Sequence, residues 1–286
     1  MTRVGLIGVG LLGTAIAERL LAAGYGVCGY DRDPARLGAL AALGGEPVPA
    51  PGETVMDADT LITCLPDGSA VREVVTALLA SGATPAALID TTTCAPSEAI
   101  ALAELLSDHA VPCLDAAVSG SSAQVRSGAG ALLVGGEAET FALCEPILRA
   151  IAPKVHHIGG PGAGATAKLV TNLILGLNRF ALAEGLNLGL AAGLDGERLL
   201  AVLQDSAAYS RVMDTKGERM LSGDFAPEAR LRQHLKDVRL IVELAQSLSA
   251  ATPLEARHLE LLETAVADGW GEFDNAAVIA WLREPQ

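Results

Sequence analysis

The chain has 286 residues, half of them apolar, which is enough for one large core or for two domains. Its formal charge of -14 would repel a phosphate backbone, and no run of Lys or Arg offsets that, so a nucleic-acid partner is not expected. Aromatics make up only 3% against 31 glycines, a balance that suits tight βα turns and aliphatic packing better than a base- or sugar-stacking surface.

The first ten residues, MTRVGLIGVG, lack a basic segment followed by an unbroken apolar run and a cleavage site, so they do not read as a signal peptide. They read instead as a strand, RVGLIG, that runs into glycines at 8, 10 and 13 and then into an amphipathic helix over 11–23. A dinucleotide needs that order. Gly8 permits the tight turn, Gly10 lets the backbone approach a pyrophosphate, and Gly13 lets the helix lie close on the strand, while the helix N-terminus, with Leu11 and Leu12 in its first turn, faces the phosphates. The next strand, GVCGYD, ends in Asp31, at the distance expected for a carboxylate that accepts hydrogen bonds from the adenosine ribose. Asp31 would repel a 2′-phosphate and so favours NAD. Arg32, one residue on, could neutralise such a phosphate or stack on adenine, which leaves NADP open.

Short strands continue as TLITCL, ALIDTT, VPCLDAAV, ALLVGG and KVHHIG, with helices between them at 69–80, 97–108 and 137–150. This alternation predicts an α/β domain with a mostly parallel, doubly wound Rossmann-type sheet. Two loops fall at strand carboxyl ends, where such sheets bind ligands: CLPDG (64–68), in which Pro66 and Gly68 turn the chain, and DTTTCAP (90–96), with hydroxyls at Thr92 and Thr93. Taken alone, ordinary turn and capping chemistry is the better explanation of either loop. After GGPGAG (159–164) the strand signals stop, and helices are expected at 165–192, 196–206, a looser 207–227, 230–247, 254–268 and 275–283. The reading is a dinucleotide-binding domain over 1–160 and an all-α substrate and oligomerisation domain over 161–286. Cys28, Cys64, Cys94, Cys113 and Cys144 form no CxxC pair and read as reduced core thiols, and no metal site is expected. The longest apolar segment, 169–192, carries Asn172, Asn178, Arg179, Glu184 and Asn187, too much polarity for a membrane span, so the expectation is a soluble, cytoplasmic protein without a membrane partner.

Within that segment AKLVTNLILG sets Lys168 and Asn172 four residues apart among aliphatics, on one helical face, where both can reach a single ligand, and Arg179 falls on the same stripe. Alone, such a stripe reads as a solvated helix edge. Taken with GLIGVGLLG, DAAVSGSSAQVRSGAGALLVGG (115–136), GPGAGATAKLVTN (160–172) and HLKD (234–237), the chain resembles the β-hydroxyacid dehydrogenase family, and the resemblance runs end to end, including GDFAPE (223–228) and GWGEFDNAAV. The resemblance implies hydride transfer between a nicotinamide cofactor and a small β-hydroxyacid or its semialdehyde. It makes Lys168 the general acid or base, activated by desolvation, and Asn172 the group that aligns it with substrate. It also implies a substrate-carboxylate turn at Ser119, Gly120 and Ser121, cofactor contacts from Leu65, Pro66, Thr93 and Lys236, and a homodimer or homotetramer packed through the aliphatic surface of 173–193. The chain departs from the family at Ser121, where glycine is common, at Thr171, where asparagine is, at Ala117, where proline is, and at Ala229 and Arg230, where an aromatic often lines the pocket. Those departures bear on the substrate. Two alternatives stand beside this reading: an imine reductase on the same scaffold, which usually replaces the lysine, and a non-catalytic dinucleotide-binding module, which would not need Lys168, Asn172 and Ser119 together.

Overall fold

In chain order the first elements are β1 (Arg3–Ile7), α1 (Leu11–Ala22), β2 (Gly26–Tyr30), α2 (Pro34–Ala42), β3 (Glu46–Pro47), β4 (Thr60–Thr63), α3 (Gly68–Ala80), β5 (Ala87–Asp90), α4 (Pro96–Ser107), β6 (Cys113–Ser119), α5 (Ser122–Arg126), β7 (Ala131–Gly135), α6 (Ala138–Ile151) and β8 (Lys154–Gly159). They come from a computed structural model that describes residues 2–56 and 58–284. The strands make one sheet in the order β3-β2-β1-β4-β5-β6-β7-β8. Its first six positions repeat the 3-2-1-4-5-6 order of a dinucleotide-binding sheet. Only β6 and β7 pair antiparallel, because the link over 120–130 is shorter than the dozen or so residues that a parallel crossover needs.

Successive residues of the central strands point to opposite faces, so an apolar run fills two cores at once. Leu61 and Leu88 pack with Val71, Val75 and Leu102 on one face, while Ile62 and Ile89 pack with Ile16, Leu20 and Leu148 on the other. Seven of the eight strands are visible in the sequence. The eighth, β3, is two exposed residues long and has no alternation to read. Helix α2 was also missed, since Leu40 is the one residue it buries, although Asp33 caps it in the expected way by accepting from the Ala35 N–H at 3.0 Å, with Pro34 following.

The chain divides into two compact units, Met1–Lys168 and Leu169–Gln286. A single helix of 29 residues, α7 (Ala163–Ala191), begins in the first and continues through the second. It is followed by α8 (Gly196–Asp205), α9 (Val212–Ser222), α10 (Leu231–Ser247), α11 (Pro253–Ala267) and α12 (Val278–Trp281). Phe180, Ala183, Leu186, Leu200, Met220, Leu235, Val238, Leu262 and Trp281 form the core of this second unit. The looser stretch 207–227 resolves into α9, stopped by Gly223 at φ +75. The single helix expected over 275–283 is instead a 3-10 turn, Asn275–Ala277, and then α12, because the buried Asp274 caps the turn from Ala276. Among the described residues no helix is long and apolar enough to cross a membrane.

Candidate active site

The sheet changes direction between β1 and β4, and ligands of open α/β sheets bind at the carboxyl ends of the strands flanking such a point. Gly8 turns there at φ +97, where a side chain would strike the Cys64 carbonyl, and a side chain at Gly13 would strike the carbonyl of Gly8. At Gly10, by contrast, a Cβ would meet only Arg36 Nη1, 3.5 Å away. Gly10 caps α1 with no side chain, so the first N–H groups of the helix are left for an outside acceptor. A pyrophosphate fits that cradle in both charge and space. Leu11 is exposed at its mouth and Leu12 packs toward the core.

Asp31, 8% exposed, accepts the Val9 N–H at 2.8 Å on one oxygen and the Asp33 N–H at 2.9 Å on the other. It thereby fastens the glycine loop to the end of β2 and keeps lone pairs for a ribose. Arg32 is exposed and lies 3.7 Å from Glu73. Sequence reasoning missed Arg36, whose guanidinium is 3.4 Å from Asp31 and borders Gly10. Its position in the first turn of α2 was hidden with that helix.

The other two loops are tied to each other. Leu65 N–H donates to Thr92 Oγ1 at 3.1 Å, and the Thr92 N–H and Thr63 Oγ1 both donate to one oxygen of Asp90, at 3.0 and 2.8 Å. Burial pushes the Asp90 carboxyl up to about 6, against the pull of the hydrogen bonds from Thr92 and Thr63. The hydroxyl of Thr92 is therefore spent on the adjoining loop. Thr93 is half-buried and Pro66 is exposed.

Ser119 ends β6 half-buried, and Gly120 follows at φ +137. Ser121 enters a capping box, its Oγ accepting from the Gln124 N–H at 3.3 Å and its N–H donating to Gln124 Oε1 at 2.8 Å. That commitment leaves Ser119 and Gly120 as the groups of the turn best able to meet a carboxylate. Four residues before Ser119 on the same strand, Asp115 accepts the N–H groups of Gly162 at 2.9 Å and Ala165 at 2.7 Å. This buried carboxylate holds the start of α7, where the helix dipole also favours it. The glycines of the link now have a reason: a Cβ on Gly164 would lie 2.5 Å from the carbonyls of both Asp115 and Leu133. Lys168 follows one turn later, half-buried. Asp115 could have been suspected from sequence, because a carboxylate in the middle of an apolar strand must find donors.

In the second unit Asn172 is 7% exposed and donates from Nδ2 to Asp237 Oδ2 at 3.0 Å. Lys236 Nζ lies 3.7 Å from the other oxygen of Asp237. Thus HLKD, on α10, supplies both the expected Lys236 and an unforeseen partner for Asn172. The backbone of Gly176, one turn further along α7, carries the imidazoles of His234 and His258, which a Cβ would approach to 2.7 and 2.9 Å. Arg179 is buried as well.

Residues 3–159 match the family described as the NAD binding domain of 6-phosphogluconate dehydrogenase, and residues 162–282 match that described as NAD-binding of NADP-dependent 3-hydroxyisobutyrate dehydrogenase. The L-threonate dehydrogenase of Cupriavidus necator is 32% identical over 96% of this chain and 94% of its own. The chain belongs to the β-hydroxyacid dehydrogenase family. Another relative of this β-hydroxyacid dehydrogenase is the 2-(hydroxymethyl)glutarate dehydrogenase of Eubacterium barkeri, 30% identical over 97% of this chain and 93% of its own. The solved structure of Mycobacterium tuberculosis 3-hydroxyisobutyrate dehydrogenase with L-serine superposes with a TM-score of 0.90 at 30% identity, covering 99% of both chains. As a member of this family, the β-hydroxyacid dehydrogenase is an oxidoreductase that binds NAD(P).

Proposed function

We propose that this β-hydroxyacid dehydrogenase interconverts a small β-hydroxyacid and its semialdehyde or keto acid, with Lys168 as the general acid–base. A bound nicotinamide supplies the hydride-transfer chemistry. In oxidation the Lys168 Nζ takes the proton of the substrate hydroxyl, and in reduction it returns one to the carbonyl oxygen. The base role requires that the half-buried amine lose its ammonium proton, for which desolvation by the bound ligands is the physical means. Asn172 directs the hydroxyl: because Nδ2 is committed to Asp237, the amide is oriented and Oδ1 is the atom presented to a donor. Ser119 Oγ and the Gly120 N–H take the substrate carboxylate, with Ser121 shaping the turn through its cap. Leu65, Pro66, Thr93 and Lys236 contact the cofactor, as do Gly8, Gly10, Gly13, Leu11 and Leu12. The observation that carries this reading is that Lys168 and Asn172 lie one turn apart on a helix whose start is clamped by Asp115 and whose amide is steered by Asp237.

We infer NAD as the preferred cofactor, since a 2′-phosphate would come against the shielded carboxylate of Asp31, while Arg32 and Arg36 are the groups through which NADP would be accommodated. We assign dinucleotide binding to 1–160 and substrate handling and self-association to 161–286. Val170, Ile174, Leu175 and Leu188 of α7 are exposed, and a second copy of the chain is the cover we propose for them, as a homodimer or homotetramer.

The test follows reduced-cofactor absorbance with NAD or NADP and 3-hydroxyisobutyrate, serine, glycerate, 3-hydroxypropionate or 4-hydroxybutyrate. Lys168→Ala is expected to lower kcat about a thousand-fold with the cofactor Kd unchanged. Undiminished turnover in that variant would remove Lys168 from the mechanism.

A further inference from the structure

Arg179 is a buried cation that the reaction just described does not use. It is 6% exposed, its Nε is shielded from solvent without an acceptor, and it has no hydrogen-bonding or ion-pair partner among the described residues. Folds seldom leave a guanidinium with its donors unmet in the interior. Burial pulls its pKa down to about 10, while Asp274 and Asp237 oppose the shift, so it is still a cation at neutral pH.

The two nearby carboxylates are already engaged. Asp274 accepts from Lys216 Nζ at 2.8 Å, from the N–H groups of Glu228, Ala229 and Ala276 at 3.0 Å each, and has Arg219 Nη1 at 3.6 Å. Asp237 holds the amide of Asn172 and faces Lys236. Arg179 thus feels their field without bonding either one. What it lacks is an oxyanion of its own, and a planar fork of N–H donors fits a carboxylate with two parallel bonds.

Its place on α7 says which carboxylate. Arg179 is 179 − 172 = 7 residues beyond Asn172 and 179 − 168 = 11 beyond Lys168, about two and three turns, so the three residues share one side of the helix. Long helical side chains lean toward the helix N-terminus. Accordingly the guanidinium lies within electrostatic reach of Asp237, the residue that Asn172 bonds. The rise from Asn172 to Arg179 is about 10 Å, most of which an extended arginine spans.

We propose that Arg179 is a specificity-determining residue that binds a second carboxylate at the far end of the substrate, so that β-hydroxy dicarboxylates are preferred over monocarboxylates of the same length. This rests on the hydroxyacid dehydrogenase reading, in which Asn172, on the same side of α7, meets the substrate hydroxyl.

Two substrates of nearly equal length separate the effect of charge from that of size: 2-(hydroxymethyl)glutarate carries a terminal carboxylate, and 2-(hydroxymethyl)pentanoate a methyl in its place. The wild-type enzyme is expected to favour the glutarate in kcat/KM by about ten- to a hundred-fold, the range of a charge-assisted hydrogen bond. Arg179→Met should bring that ratio close to one. Arg179→Lys, which keeps the charge and loses the fork, should give an intermediate ratio, and it carries the test if the methionine variant fails to fold. Thermal unfolding and cofactor Kd of each variant report whether the fold is intact. A wild-type preference for the pentanoate, or a ratio unmoved by a folded Arg179 variant, would overturn the proposal while leaving the dehydrogenase reading in place. Absence of turnover with every hydroxyacid, 3-hydroxyisobutyrate included, would instead remove the dehydrogenase reading and this inference with it.

Discussion

Asp90 receives the Thr63 hydroxyl and the Thr92 N–H on the same carboxylate oxygen, and that choice makes its charge separable from its bonds. An asparagine there keeps an acceptor for both. Because burial raises the folded carboxyl to about 6 from 3.8, the folded state holds a proton that the unfolded chain has released. The stability this confers is present below about pH 4 and is lost as pH rises through about 6, a change of at most ~3 kcal/mol. The urea midpoint of the wild type, measured from pH 4 to 7, should therefore fall relative to that of Asp90→Asn. Parallel curves would show that Asp90 ionises normally. Asp274 has the opposite sign: burial works against its charge, but the hydrogen bond from Lys216 and those from backbone N–H groups hold its pKa below the ordinary value. Asp274→Ala leaves Lys216 and Arg219 only exposed carboxylates, Glu228 and Asp224, and takes the acceptor from the N–H groups of Glu228, Ala229 and Ala276, so it should cost roughly 3 kcal/mol of unfolding free energy, read by denaturant titration. At this scale the sequence revealed groups whose chemistry is unusual for their surroundings, such as Lys168 and Asn172 among aliphatics. It concealed Asp90, Asp237 and Arg36, whose roles depend on which N–H groups and oxygens the fold brings to them, and of Asp115 it showed only that a carboxylate in an apolar strand needs donors, not which ones.

Among the elements, α7 shows what periodicity captures and what it does not. Its span was expected at 165–192 and is Ala163–Ala191, since an apolar stripe that long has few other readings. The close approach at its start was not visible, because GPGAG resembles a flexible link until the carbonyls of Asp115 and Leu133 are found against Gly164. Both neighbours are backbone atoms that cannot yield. Gly164→Ala should therefore displace the start of the helix, destabilise the protein by about 1–3 kcal/mol despite the better helix propensity of alanine, and lower kcat more than it weakens cofactor binding. Gly38 in α2 is the control, with nothing within 4 Å of an added Cβ. There Gly38→Ala should raise stability by about 0.5–1 kcal/mol with activity unaffected. Thermal unfolding of the two variants side by side, together with steady-state kinetics, checks both expectations. The elements that escaped detection, β3, α2 and α5, are short or bury little, so no stripe or alternation marks them.

For the molecule as a whole, the doubly wound sheet and the helical remainder could be read from the switch in hydrophobic period after residue 159, and the sheet order agrees with that of dinucleotide-binding domains. Self-association belongs to this scale. Ile174→Asp with Leu188→Asp, two charges on the exposed apolar flank of α7, should reduce the light-scattering mass to that of one chain. An unchanged mass would put the interface elsewhere or show that the protein is already a monomer. Lys168 is the last residue of the first unit and Leu169 the first of the second, yet the helix runs through them without a break. Lys168 and Asn172, to which we assign proton handling and its alignment, are therefore mounted on one rod, about 6 Å apart along its axis. Their spacing along the helix is inherited from peptide geometry and costs nothing to set when a ligand arrives.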